Sequence, residues 1–394
     1  MVRLKFLLYY SMVLILLQNC REPFDVEVPA GNSLLVVNGM ITDHPGPYMV
    51  KLSRSSPLGS LDFPAESGAS VAIESASGEI ENLVEASEGY YFTSEDGIRG
   101  EIGEQYRVSI QTRHEETYQS DWKLLKQSPP IDSVYFTYKE EQAEEGLLQG
   151  IQTFVDTHDP TNKTEYYRYD WIETWHYTVP YSPQYEYLGN DSTSVIEKKA
   201  VCWIEQPSTS IDIASSTQND RDIISRHPIL FITTQTPRLR ILYSLLVNQY
   251  ALDQDEYLFW KGLKETVNES GTLFDKQPQS IIGNIHRINS DEPVLGYFSA
   301  SSISAKRIFM DRSDLPEDTQ VDVSLFNDCL VDTYIIEKSS TSDKEVFNAL
   351  DRGLVFYDFY REFVNISGYI ITTVPCSDCT YHGGALEKPD YWPE

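Results

Sequence analysis

The chain has 394 residues, 12% of them aromatic, and sets 31 Lys and Arg against 60 Asp and Glu for a formal charge of −29. So large an acidic excess repels phosphate backbones and anionic lipid surfaces and excludes nucleic acid as a partner, because that binding relies on Lys and Arg to neutralise phosphate. The length suits two domains of roughly 100 to 200 residues each.

The chain opens with a tripartite export signal over residues 1–19: Arg3 and Lys5, the apolar run Leu7 to Leu17, and a stop at Gln18-Asn19-Cys20. The apolar run is too short to cross a hydrocarbon core, which takes about 20 helical residues. A cysteine at the cleavage point marks a lipoprotein. Cys20 is the expected lipidation site, with diacylglyceryl on its thiol and a further acyl chain on its freed amine, each buried methylene holding the anchor by about 0.8 kcal/mol. An ordinary secreted protein is the alternative, since Asn19 stands where such signals carry a small residue. Residues 20–33 read as a tether.

Between residues 34 and 125, short apolar runs alternate with turn residues: Leu34 to Gly39, Pro47 to Leu52, Ala69 to Ile73, Tyr90 to Phe92 and Gln105 to Ile110. Turn signals every eight to twelve positions predict a β-sandwich, immunoglobulin-like or prealbumin-like. Lys126-Gln127-Ser128-Pro129-Pro130 is the expected boundary, because paired prolines stiffen an extended connection.

A larger β-rich domain with one or two helices is predicted over residues 131–394. Ile131 to Phe136, Gly150 to Val155, Tyr166 to Thr178, Pro228 to Thr233, Leu239 to Val247, Val294 to Ser299 and Arg307 to Met310 read as strands. Asp253, with Glu256 three residues on, predicts a helix start; Tyr257, Trp260, Leu263, Lys264 and Val267 continue it and Gly271 stops it. A second helix is predicted from Asp343 to Leu350, ahead of Gly353.

The aromatic tract Tyr166 to Tyr177 places Tyr167, Tyr169, Trp171, Glu173, Trp175 and Tyr177 on one face of a strand. A face so rich in rings is expected against the domain's own second sheet. Tyr177, Tyr181, Tyr185 and Tyr187, spread along a proline-broken loop, are the expected binding residues, since loops carry binding more often than packed elements. Asp156-Thr157-His158-Asp159 offers three metal-ligand types, but with Pro160 and Asn162 it reads as turn chemistry, and no metal or cofactor is predicted.

With Cys20 lipidated, Cys202, Cys329, Cys376 and Cys379 remain. Four cysteines allow three connectivities. The expected one joins Cys376 to Cys379 and Cys202 to Cys329. A redox role for Cys376-Ser377-Asp378-Cys379 is disfavoured, because Gly383, Gly384 and Pro389 leave no helix to stabilise a thiolate. No nucleophile elbow, HExxH, Walker loop or dinucleotide fingerprint is present, so no catalytic residue is assigned.

Several segments together resemble a family of Bacteroidota lipoproteins catalogued as domain of unknown function family 4249. They include Glu22-Pro23-Phe24, Gly39, Ile41-Thr42, Gly46-Pro47-Tyr48, Leu52 to Ser55, Trp171 with Glu173-Thr174-Trp175, Gln249 to Leu252, Phe274-Asp275, Gly296-Tyr297-Phe298 and the ending from Cys376 to Trp392. The resemblance implies an outer-membrane lipoprotein, lipid-anchored and facing the cell exterior, encoded alongside TonB-dependent transporters. It implies a noncatalytic accessory or ligand-binding subunit, with such a barrel as partner. A free-standing adhesin for a glycan or peptide ligand, and a hydrolase with an unrecognised carboxylate site, are the alternatives.

Overall fold

A computed structural model describes residues 33–56, 63–143, 146–269, 281, 283–322, 329 and 333–394. The export signal, Cys20, nearly all of the tether, Gly271 and Phe274-Asp275 lie outside the described residues. The architecture is mainly β, as predicted, built from antiparallel sheets with a few helices. No helix among the described residues is long and apolar enough to cross a membrane.

Two facing sheets form the first unit. One runs in the order Leu295–Ala300, Leu35–Ile41, Met49–Arg54, Tyr90–Phe92, Val84–Ser87. The other runs Ile285–Arg287, Thr117–Ser120, Gln105–Gln111, Ser70–Ser75, Ile80–Asn82. Every second residue of Leu35–Ile41 and Gln105–Gln111 is buried, the period-2 alternation of a strand with one face on the core. Val37, Val50, Ile73, Val108 and Phe298 meet between the sheets.

The expected boundaries need correction here. The sandwich does not close at residue 125, because the chain returns to it far downstream. Leu295–Ala300 lies parallel to Leu35–Ile41, from Val36 opposite Leu295 to Ile41 opposite Ala300, and Ile285–Arg287 extends the other sheet beside Thr117–Ser120. Strand periodicity reports that a segment is a strand, but not which sheet receives it.

In the second unit, Tyr166–Thr178 runs through the middle of a sheet between Val201–Pro207 and Leu242–Leu252, with Ile303–Asp311 at the edge. A three-stranded sheet, Ile131–Ala143, Gly146–His158 and Ile223–Thr233, covers it. The ring-bearing face of Tyr166–Thr178 packs as predicted: Tyr167, Tyr169, Trp171 and Trp175 are buried with Val134, Ile151, Val155 and Ile232. Glu173, on the same face, is neutralised by Arg238 at 2.5 Å and accepts the Tyr243 hydroxyl at 2.7 Å. Helix α1 (Gln254–Glu269) follows the strand Leu242–Leu252.

The predicted C-terminal domain contains a third, separate core. Tyr334–Glu337, Asn365–Thr372 and Val355–Glu362 form a small sheet, on which helix α2 (Ser342–Asp351) and the hairpin strands Tyr185–Gly189 and Ser192–Val195 pack. Tyr187, Ile336, Val346, Phe356, Tyr369 and Ile371 are its buried side chains.

All four predicted cysteines are disulfide-bonded, but in a different pairing: Cys202 with Cys379, and Cys329 with Cys376. The C-terminal tail runs antiparallel to Val201–Pro207, with Trp203 and Ala385 exchanging backbone hydrogen bonds at 2.9 and 2.8 Å. Closer to the disulfide, the Cys379 amide donates to the Lys199 carbonyl at 3.0 Å, and Cys379 meets Cys202 with Cα atoms 5.6 Å apart. Neighbouring cysteines in sequence therefore clamp two different distant segments instead of closing a short loop.

Candidate functional site

The four tyrosines predicted to bind do not form a common surface. Tyr177 is buried, donating its hydroxyl to the Cys379 carbonyl under the disulfide. Tyr187 is the centre of the third core, stacked among Phe347, Phe356 and Tyr369, with its hydroxyl on Asp343. Tyr181 is half-buried, edge-on to Tyr357 at 5.3 Å, and Tyr185 alone is well exposed, at 41%. The prolines that mark this stretch as a loop do not keep it on the surface, because the third unit folds over it.

Asp156 to His158 end the strand Gly146–His158, and Asp159 leads into the turn over Pro160 to Asn162. Burial works against charge on Asp159, but the Thr161 hydroxyl and the amides of Thr161, Lys163 and Thr164, all within 3.0 Å, hold its carboxyl down to about 2. Asp156 takes bonds from Ser133 and the Arg226 amide, while His158 pairs with Asp132 at 2.7 Å. These side chains serve separate partners. No group of three or more potential ligands among the described residues could hold a metal ion.

A concavity lies where α1 meets the first unit, in the position between packed units where ligand sites commonly occur. Asp253 caps α1 through a 2.8 Å bond from the Glu256 amide, as its spacing predicts. The Glu256 side chain does not return to complete a capping box. It crosses the seam, accepting the Ser299 hydroxyl at 2.5 Å and the Trp260 indole N–H at 3.2 Å. Burial raises its pKa, and Ser299, Arg168, Lys123 and Trp260 offset only part of that effect.

Lys123, from the first unit, is 7% exposed; its ammonium pairs with Asp253 and donates to the Tyr297 hydroxyl at 2.7 Å. Phe259 packs on the Tyr297 ring at a centroid distance of 4.9 Å. Deeper in the seam, the Arg168 guanidinium lies 4.4 Å from the centre of the Tyr250 ring and 4.8 Å from that of Trp260, a doubly stacked cation.

Above this network opens a cleft of about 700 Å³, floored by Lys123, Phe259 and Tyr297 with Leu258 at its side. Its rim carries Asp255 and two close pairs, Asp121 with His286 at 3.2 Å and Lys261 with Glu265 at 4.0 Å. Such a cleft can seat a ligand with an apolar body and polar edges. Lys123 stands in no motif, Gly296-Tyr297-Phe298 resembles the family without marking a role for its tyrosine, and only the return of residues 285–300 brings the two together. The one legible signal is Asp253, which as a cap also fixes where the helix meets the sandwich.

A family model described as Domain of unknown function (DUF4249) matches residues 21–307. No curated protein matches the sequence.

Proposed function

We propose, from the premise that this chain belongs to the DUF4249 family, that it is a noncatalytic surface lipoprotein acting as an accessory or ligand-binding subunit of a TonB-dependent outer-membrane transporter. The acyl anchor on Cys20 holds it to the outer membrane, and the seam cleft holds the ligand. The observation that carries the binding role is the state of the ionisable groups in that cleft. Lys123 is committed to Asp253 and Tyr297, Lys261 lies beside Glu265 and His286 beside Asp121, an arrangement suited to holding a ligand rather than to proton transfer or nucleophilic attack. Export is supported by two disulfides joining segments 177 and 47 residues apart, since such bonds persist in oxidising compartments.

Affinity purification of the full chain from detergent-solubilised native membranes should recover a TonB-dependent barrel in stoichiometric amount, with acyl chains on Cys20 by mass spectrometry. Recovery of the chain alone under mild conditions overturns the partnership. Leu258→Trp, at an exposed position on the cleft, should block ligand uptake while leaving barrel recovery intact.

A further inference from the structure

We propose that Glu256 is a proton-operated latch of the seam: protonated, it ties the start of α1 to the sandwich, and ionised, it lets the seam beneath the cleft open. As regulation of the cleft this rests on the binding role proposed above, while the latch itself is a property of the chain alone. Three side chains at the start of α1 dock on the sandwich. Asp253 pairs with Lys123, Glu256 accepts the Ser299 hydroxyl, and Phe259 packs on Tyr297; at multiples of three residues apart, they lie on one side of the helix start.

Of the three, Glu256 makes its contact from a buried site and with neutral donors. It is 2% exposed, and its Oε1 takes both the Ser299 hydroxyl and the Trp260 indole N–H. No hydrogen bond reaches Oε2 among the described residues, which leaves that oxygen to carry a proton. A buried carboxylate needs instead a paired cation and bonds to both oxygens. The charged groups that face it do not supply these. Lys123, from the sandwich, is held by Asp253 and Tyr297. Arg168, from the strand Tyr166–Thr178, lies against the Tyr250 and Trp260 rings and 3.8 Å from Asp170. Tyr250 of Leu242–Leu252 and Tyr297 of Leu295–Ala300 contribute no charge, since burial and neighbouring carboxylates raise both hydroxyls. Asp253 and Asp255 of α1, with Asp121 of the first unit, act on the Tyr297 hydroxyl together with Glu256, so a further negative charge in this seam is disfavoured.

A carboxyl whose pKa is raised in the closed seam stabilises closure fully below the ordinary glutamate value of 4.5, and that contribution is lost as pH rises through the raised value. Opening therefore grows with pH by up to about tenfold per unit between the two values and levels off above them.

The test uses the detergent-solubilised full chain, with neither ligand nor barrel. In two-dimensional NMR the Trp260 indole N–H resonance, assigned by its loss in Trp260→Phe, should titrate with a midpoint above the ordinary glutamate value. Glu256→Gln should abolish that titration, which separates it from Asp121 and His286 on the rim. Ser299→Ala removes a donor to the carboxylate and should move the midpoint upward, a result that decides the matter even where the Gln variant does not fold. Hydrogen exchange of the Tyr257 to Trp260 amides, as the ratio of wild type to Glu256→Gln, should rise over the same range by up to about tenfold per pH unit. A resonance that does not titrate, a midpoint at or below the ordinary value, equal titration in Glu256→Gln, a midpoint that Ser299→Ala leaves in place or lowers, or an exchange ratio flat with pH overturns the latch. Leu258→Trp reports the cleft and barrel recovery the partnership, so the latch fails separately from both.

Discussion

Gly296→Ala tests the discontinuous sandwich at its tightest point. Gly296 has φ +98°, and a Cβ there would lie 1.8 Å from the Val37 carbonyl oxygen and 2.7 Å from its carbon. Both atoms are backbone, so no rotamer change relieves the overlap. A left-handed conformation alone costs an L-residue roughly 1–2 kcal/mol. Separating Leu295–Ala300 from Leu35–Ile41 would also release Phe298, fully buried between the sheets, at about 1.5–3 kcal/mol. Together these give a loss of about 3–5 kcal/mol, a large part of the 5–15 kcal/mol typical of a domain. Native-state hydrogen exchange is the assay, because it localises the loss: amides of Leu35–Ile41 should lose protection while those of Tyr166–Thr178 keep theirs. Unchanged protection, or a loss below about 1 kcal/mol, would refute the parallel pairing.

Residues 34–125 expressed alone should lack a cooperative unfolding transition, since they are missing Ile285, Val294, Phe298 and Ala300 from the core; a sharp thermal transition for this fragment would contradict that. Peptide mapping without reductant should recover Cys202 linked to Cys379 and Cys329 linked to Cys376. Cys202→Ser should destabilise by up to about 5 kcal/mol and Cys329→Ser by up to about 4, from the entropy of the released loops; denaturant midpoints measure both. Asp159 has its folded pKa lowered from 3.8 to about 2, so its stabilisation is present above the unfolded pKa and is lost as pH falls from about 4 through 2. Asp159→Asn should cost about 2 kcal/mol at pH 7 and a vanishing amount below about pH 2, read from unfolding curves across that range; a cost independent of pH would count against the charged cap.

Much of the fold is visible in local pattern. The strands of the first unit, the aromatic strand and both helices lie where alternation, helical spacing and the Asp253 cap place them, because these signals depend on neighbours in the chain. The candidate site was not visible in that way. Lys123, Glu256, Tyr297 and Ser299 come from three separate stretches of sequence, and none has a neighbour that marks its role. Tyr177 and Tyr187 illustrate the opposite error: loop-like surroundings mark irregular backbone, but whether a ring there is exposed depends on what folds over it.

The residues themselves determine an acidic, β-rich chain whose apolar alternation sets which face of each strand is buried, since side-chain direction follows from backbone period alone. Tertiary structure decides which strand completes which sheet, which cysteines meet and which rings stay in water. Those outcomes rest on contacts between residues far apart in the chain, where closure entropy and packing, rather than local preference, select the partner.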